Sequence, residues 1–372
     1  MKIRWINWEE LADGQLKSFA KLFSLNSSKK AIANVFTKFK LLKVADDLFF
    51  PVTINDFEME NSFVCSPHTA YVRYSKEELL RKIDKRWIQL PLLLLIRLID
   101  KWLKYGQIDK NIHVNNFLLS TNPYPEWDGS QIKAITEFIK SEYPEHTIIF
   151  RSLNVYQHQH LLENFETLGY QKIGSRQVYI FDSTEEEWLK RRNNKLDNKM
   201  IKAQQLIYLK HEEMKDYLDQ ALLLYNKLYL EKYSKHNPQF TNQYFHTCYD
   251  ENIIHFQGFK DNSGVLKAFS GLFIIEDTIT SPLLGYDTAA PQEDGLYIHA
   301  ARLAVIHKFN TKKLLNLSSG ASKFKRFRGG IPAIEYSVVY AKHLSFKRRF
   351  TWSVLQFISN KIGVPLLDKY EL

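Results

Sequence analysis

The clearest ordering of apolar and polar positions lies between residues 279 and 340. The run over 279–286 predicts a strand, the polar stretch 287–294 a turn, and 295–308 a helix. A short apolar strand over 314–317, a basic turn bounded by Gly320 and Gly330, and a last strand over 334–340 follow. The same order occurs earlier in the chain. Residues 116–120 read as a strand, and Asp128 as the cap of a helix with Ile132, Ile135 and Ile139 on one face. Residues 147–151 predict a buried strand. A helix over 157–168, stopped at Gly169, aligns Leu161, Phe165 and Leu168, and 177–181 predicts another strand. Two copies of one topology at nearly constant spacing predict a duplicated α/β domain with mixed sheets.

The flanking segments are less regular. Residues 1–45 predict helix, with Leu16, Phe19, Ala20 and Phe23 at helical spacing, and 48–54, 62–65 and 70–74 predict strands punctuated by Pro51 and Pro67. Ser75 and Glu78 form a capping-box pattern. Residues 87–103 are apolar nearly all round, with Pro91 in the first turn, and predict a buried core helix. Arg97 and Asp100 interrupt the run too early for a spanning helix. Its tryptophan ends and its basic flanks (Lys85, Arg86, Lys101, Lys104) also suit peripheral membrane contact. A charged segment over 188–195 precedes a long amphipathic helix aligning Met214, Tyr217, Leu218, Ala221, Tyr225 and Leu228. A last helix surrounds Trp352, Leu355 and Ile358. The expected layout is an N-terminal extension over 1–110 packing on a first half over 111–186 (part of 46–110 being the alternative start of that half), a second domain over 187–345 and a C-terminal helix over 346–372. No low-complexity linker separates the halves, which predicts tight packing between them.

Composition adds limits. The chain has 372 residues, 45% of them apolar, enough for a substantial core. A formal charge of +10 favours anionic partners, such as a phosphorylated cofactor, tRNA or a lipid head group, without choosing among them. Cys65 and Cys248 lie in unrelated contexts, which argues against a disulfide framework or zinc knuckle. No apolar signal segment follows Met1, so the expected compartment is the cytoplasm. No metal site is expected. His158 and His160 diverge if they lie on a helix, and the pair Cys65 and His68 lacks a third partner.

Candidate chemistry gathers at two places. In the basic turn Ser318, Ser319, Ser322, Lys323, Lys325 and Arg326 cluster at the mouth of a strand, a pattern suited to phosphate although it is not a P-loop. In the first copy Asn116, Ser120, Thr121, Asn122, Arg151, Asn154 and Arg176 sit at strand ends that should converge in one cleft. Two arginines there suit a carboxylate or phosphate, and a buried structural ion pair would explain Arg151 nearly as well.

The tandem units, the Lys190-Arg191-Arg192 segment opening the second copy, and Gly320-x-x-x-Phe324-Lys325-x-x-x-Gly329 together carry a family likeness. The chain resembles the double-domain members of the Gcn-five-related N-acyltransferase (GNAT) superfamily. That group includes the bacterial Fem-type peptidoglycan-bridge aminoacyltransferases and the CelD-like acyltransferases. The resemblance covers roughly residues 110–345 and is clearest after 187. It implies transfer of an acyl or aminoacyl group to an amine or hydroxyl, with no metal and no tightly bound cofactor. The activated donor would be a co-substrate: acyl-CoA, an acyl carrier protein or aminoacyl-tRNA. It also implies a donor-binding lysine at Lys325.

Such chemistry needs a base and oxyanion donors. Tyr286 and Asp287 are placed for the first role, Asp287 equally as a turn residue, and His299 is as much a core-edge histidine as a catalyst. One departure bears on the donor. The family's glycine loop for a pyrophosphate is replaced by 121–126 in the first copy and 288–294 in the second. That weakens coenzyme A and leaves aminoacyl-tRNA or a carrier-protein thioester open. Two other readings remain: a basic nucleic-acid-binding protein of the same fold without catalysis, and a membrane-surface enzyme acting on a lipid amine.

Overall fold

The computed structural model describes residues 3–58, 60–74, 76, 77, 80, 85–203 and 205–370. The capping pattern at Ser75 and Glu78 lies outside the described residues. Twelve strands form one sheet. They are β1 (Arg4–Ile6), β2 (Lys38–Lys43), β3 (Phe49–Asp56), β4 (Lys110–Val114), β5 (Thr147–Asn154) and β6 (Gln171–Phe181), then β7 (Ile207–Leu209), β8 (His255–Lys260), β9 (Leu266–Ile275), β10 (Thr278–Tyr286), β11 (Leu314–Asn316) and β12 (Ile331–Tyr340). Their spatial order is β1-β2-β3-β4-β5-β12-β6-β11-β10-β9-β8-β7.

That order reads the same from either end when each of the first six strands is matched to its counterpart six places later. The two halves have exchanged their last strands. β12 lies antiparallel between β5 and β6, while β6 crosses to pair with β11. Neither half can close its sheet without the other. The segment expected as an extension holds β1–β3, which stand to β4 as β7–β9 stand to β10.

Local sequence explains most elements. β5 is buried on both faces, with Ile148 and Phe150 in one core and Ile149 in the other, as a central strand requires. The helix Ile132–Glu142 buries Ile132, Ile135 and Ile139 against the first of these cores. Its cap is Gln131, and Asp128 instead accepts from Ser130 in the turn before it. The helix Val155–Thr167 ends where Gly169 takes φ +86°.

Several expectations are corrected. Residues 1–45 hold the helix Gln15–Leu25 with Phe19, Ala20 and Phe23 buried, but two strands flank it. Residues 62–65 form a turn and Thr69–Arg73 is helical, because backbone hydrogen bonds return to Ser62 and Ser66 rather than to a neighbouring strand. The strand expected at 116–120 lies earlier, at Lys110–Val114, since Asn115 and Leu118 adopt φ +57° and break the extended chain. The long helix after residue 214 starts as short 3-10 turns, becomes α-helical at Leu218–Tyr225 and widens to a π-helix over Asn226–Tyr233. The helix Arg86–Tyr105 buries only Leu103, so it is not a core helix. Among the described residues no helix is long and apolar enough to cross a membrane.

Candidate functional site

β10 and β11 run parallel, but only Thr278–Thr280 pairs with Leu314–Asn316. Beyond that point β10 bulges against β9 and continues to Tyr286, whereas β11 ends and the chain turns away. Two parallel strands that part leave a wedge between them. The residues that close it come from both halves of the chain.

Arg176 of β6 is the centre of that closure. Its Nε donates to Glu335 Oε1 at 2.8 Å and Nη2 to Oε2 at 3.2 Å, a bidentate pair with Glu335 only 2% exposed. Nη2 also donates to the Ser120 carbonyl and to Thr121 Oγ1 at 2.8 Å, and Nη1 reaches Ser319 Oγ at 3.5 Å. The Thr121 hydroxyl donates to Ser318 Oγ at 3.0 Å. Ser120, Arg176 and Ser318, read from separate parts of the sequence, thus meet in one network.

Lys325 is a correction. It does not face an open phosphate site: it is 5% exposed, and its Nζ donates to the carbonyls of Leu317 (2.7 Å), Ser318 (3.2 Å) and Ser319 (2.8 Å). The cause is the backbone of the turn. Ser318, Gly320 and Ala321 all adopt positive φ, which gathers three carbonyls on one side, and three ammonium protons match them. Burial, with the Arg176 guanidinium adding to it, pushes the Lys325 ammonium down to about 7. Lys323 remains exposed on the helix Ser322–Phe327, with Arg326 half-buried beside it.

The other first-copy residues serve the backbone. Asn116 donates to Thr53 Oγ1 and the Val64 carbonyl, and Asn122 Oδ1 accepts from Phe117 N, so both shape the loop after β4. Arg151 donates to the Val64 carbonyl at 2.8 Å, and burial depresses its pKa against the pull of Glu335. Asn154 caps the helix Val155–Thr167 by accepting from Gln157 N at 2.9 Å. We expect Asn154→Ala to cost about 1 kcal/mol of stability and to leave substrate affinity unchanged. A melting curve paired with a binding titration checks this, and a lost affinity at unchanged stability would contradict it.

At the far end of β10, the Tyr286 hydroxyl accepts from Lys232 Nζ at 3.0 Å. Asp287 takes the turn role, accepting from Ala289 N at 3.2 Å and facing Lys267 at 3.8 Å. His299 is corrected as a catalyst. It is buried, Nδ1 lies 3.2 Å from the Gly295 carbonyl, and its ring stands edge-on to Phe259 of β8, two strands away from β10. Burial lowers its pKa, so the imidazole is held neutral.

Apart from Tyr286, the sequence reading missed the tyrosines around this wedge. Tyr286 packs on Tyr297, and Tyr297 on Phe324 at 4.6 Å. Tyr229 stacks on Tyr225 and lies within electrostatic range of both Arg176 and Tyr233. The four-residue spacing of Tyr225, Tyr229 and Tyr233 was the available signal, and the π-helix widens the turn that carries the last two. Glu335 was also missed, as a lone carboxylate inside an apolar strand.

Behind the wedge, helix Arg192–Ala203 fills the face where the helix Leu296–Thr311 meets the basic turn. Asp197 forms a bidentate pair with Arg328 at 2.5 and 2.8 Å, and Arg302 donates to Asn198. A narrow cavity there is lined by Leu317, Phe324, Ile298, Ala301 and the two arginines, and a roomier pocket beside the loop 288–294 is lined by Gln205, Leu206, Lys267, Ala290, Asp294 and Leu296. Elsewhere, Cys65 is buried with its thiol pushed up by desolvation, and His68 Nε2 is bonded to Asp100 at 2.7 Å, so the two form no dyad. Among the described residues no group of three or more metal-ligating side chains is assembled.

No protein-family model and no curated protein matches the sequence. Solved structures do. The chain is similar to FemX, with a TM-score of 0.53 and 9% identity over 96% of this chain and 100% of that one. It is also similar to L-PGS from Bacillus licheniformis (TM-score 0.43, 14% identity, 61% of this chain and 78% of that one). A tandem GNAT protein from the clavulanic acid biosynthesis pathway aligns with a TM-score of 0.36 and 9% identity over 62% of this chain and 74% of that one. With two β-halves of one topology, parallel strands that part in the second, and an end-to-end likeness to FemX, the chain has a duplicated mixed α/β fold similar to that of FemX.

Proposed function

We propose that this protein transfers an acyl or aminoacyl group from an activated donor to an amine, in the wedge between β10 and β11. The observation that carries the reading is the wedge itself, walled by a preorganised polar network from both halves. Of the Arg176 contacts, the one from Nη1 to Ser319 is the longest, at 3.5 Å. That N–H and the Ser319 hydroxyl are the donors best placed to turn toward a developing oxyanion. Tyr286, joined to Lys232, supplies a hydroxyl on the opposite wall whose oxygen can orient the attacking amine by accepting a hydrogen bond from it.

Two features around the wedge bear on the donor. The loop 288–294 has no glycine before Gly295, and helix Arg192–Ala203 packs over the turn Ser322–Phe327 through the Asp197–Arg328 pair. This favours a donor presented on a larger carrier over free coenzyme A. Lys323 and the 61%-exposed Phe327 on the outer side of that turn suit a nucleic-acid carrier, so aminoacyl-tRNA ranks first. The test offers acetyl-CoA, an acylated carrier protein and aminoacyl-tRNA separately, and follows thermal shift and transfer to a panel of amines. Protection and transfer with aminoacyl-tRNA, reduced at high salt, is the expected result. Transfer from acetyl-CoA alone would overturn the carrier argument, and no reaction with any donor would remove the enzyme reading.

A further inference from the structure

The helix Arg86–Tyr105 carries two apolar stripes. One packs inward: Ile96, Ile99 and Leu103 rest on a core containing Val72, Ile149 and Trp352. The other faces solvent. Trp87, Leu90, Leu94, Leu98, Trp102 and Tyr105 recur at steps of three and four residues, with exposures from 37% at Trp102 to 73% at Trp87. Arg97 and Lys101, both exposed, lie beside this outer stripe. Asp100 is the single carboxylate within the helix, and it is engaged by His68 at 2.7 Å and Lys104 at 2.9 Å.

The surface continues onto the neighbouring helix, Phe346–Ile358. Trp102 meets Phe350 at 5.5 Å, and Lys347 Nζ sits 3.4 Å from the centroid of the Tyr105 ring. Phe346 and Phe357 are 72% and 62% exposed. Residues 346–363 contain no carboxylate, while Lys347, Arg349 and Lys361 are basic.

We propose that this two-helix surface docks in the interface of an anionic phospholipid bilayer. The charge pattern chooses the occupant. A second copy of the chain would set basic flank against basic flank, whereas an anionic head-group layer complements it. The residue types agree: aromatic rings suit the head-group level, leucines the acyl boundary, and the arginine and lysine stems reach back to the phosphates. The helix lies flat on the surface, held by its inner stripe. This inference does not rest on the transfer chemistry.

The test is flotation of the full-length protein with vesicles of phosphatidylcholine alone and of three parts phosphatidylcholine to one part phosphatidylglycerol. Wild type is expected to float with the anionic vesicles at about 0.1 M salt and to be released as salt rises. Leu94→Glu with Leu98→Glu should weaken binding roughly tenfold or more without altering the melt, because both positions are 59% exposed. Arg97→Glu with Lys101→Glu should remove the preference for anionic vesicles. Three results would overturn the proposal. The first is wild type that stays unbound at low salt, and the second is unfolding of the leucine variant, which would show the stripe to be packed. The third is a stable dimer by light scattering that the leucine variant splits, which would give the face to a second copy.

Discussion

Replacing Lys325 by methionine should remove a pH dependence of stability that the wild-type protein carries between about pH 7 and pH 10.4. The folded ammonium is pushed down to about 7 by burial, with Arg176 adding to it, while an unfolded lysine keeps its ordinary value. Between those two values the unfolded chain binds the extra proton, so wild-type stability rises with pH there. Below the window both states are protonated and the charge is buried at full cost. Above it both are neutral and the slope vanishes. A displacement of this size corresponds to an upper bound of about 5 kcal/mol. Urea midpoints at closely spaced pH values read it directly. Equal slopes in Lys325→Met and wild type would refute the assignment.

The same variant should also lose transfer activity, and not through donor affinity alone. Methionine leaves the carbonyls of Leu317 and Ser319 without the ammonium, at a cost of about 1–3 kcal/mol for each group left unpaired in the interior. The turn that places Ser318 and Ser319 would then relax, and a displacement of about 1 Å can lower turnover roughly a hundredfold. A donor-binding lysine open to its ligand, as the family resemblance implies for Lys325, would leave the melting temperature unchanged when replaced. Burial of the amine replaces that expectation with a joint loss of stability and turnover.

Glu335→Gln is expected to be the more damaging change to stability. Glu335 is 2% exposed and holds Arg176 by two hydrogen bonds, so removing its charge leaves a mostly buried guanidinium without its counter-charge. Breaking one side of a buried pair costs about 3–5 kcal/mol. Replacing both partners, Arg176→Met with Glu335→Leu, should recover most of that loss, because no charge is then left unpaired. Transfer should not recover. Arg176 also ties Ser120 and Thr121 of the first half to Ser319 of the second, and methionine cannot do this. A double-mutant cycle in denaturant on Arg176→Met, Glu335→Leu and the two combined, with activity measured on the same three variants, separates the two effects. A cost below about 1 kcal/mol for Glu335→Gln would show that the pair is solvated rather than buried.

The site was legible where a polar residue broke an apolar strand end. Ser120, Arg176 and Ser318 stand out in this way, and the structure brings the three together through Thr121. Asn116, Asn122 and Asn154 carry the same local signal but are consumed by backbone groups of their own turns. Side-chain chemistry in a sequence does not reveal which acceptor lies nearest, so binding and capping asparagines look alike there. Glu335 gave the opposite error, since one carboxylate in a strand has no meaning until its partner is known.

What the sequence determined by itself was local. The period of Ile132, Ile135 and Ile139, the stop at Gly169, the doubly buried run at Ile148–Phe150 and the repeated order of elements all follow from short-range pattern and backbone preference. Tertiary structure alone decided the exchange of β6 and β12, because strand pairing depends on partners more than a hundred residues away, whose register no local pattern encodes. It also decided the fate of the helix Arg86–Tyr105. A helix apolar on every side can bury only the stripe its neighbours cover; here Ile96, Ile99 and Leu103 found a core, and Leu94 and Leu98 were left to the solvent.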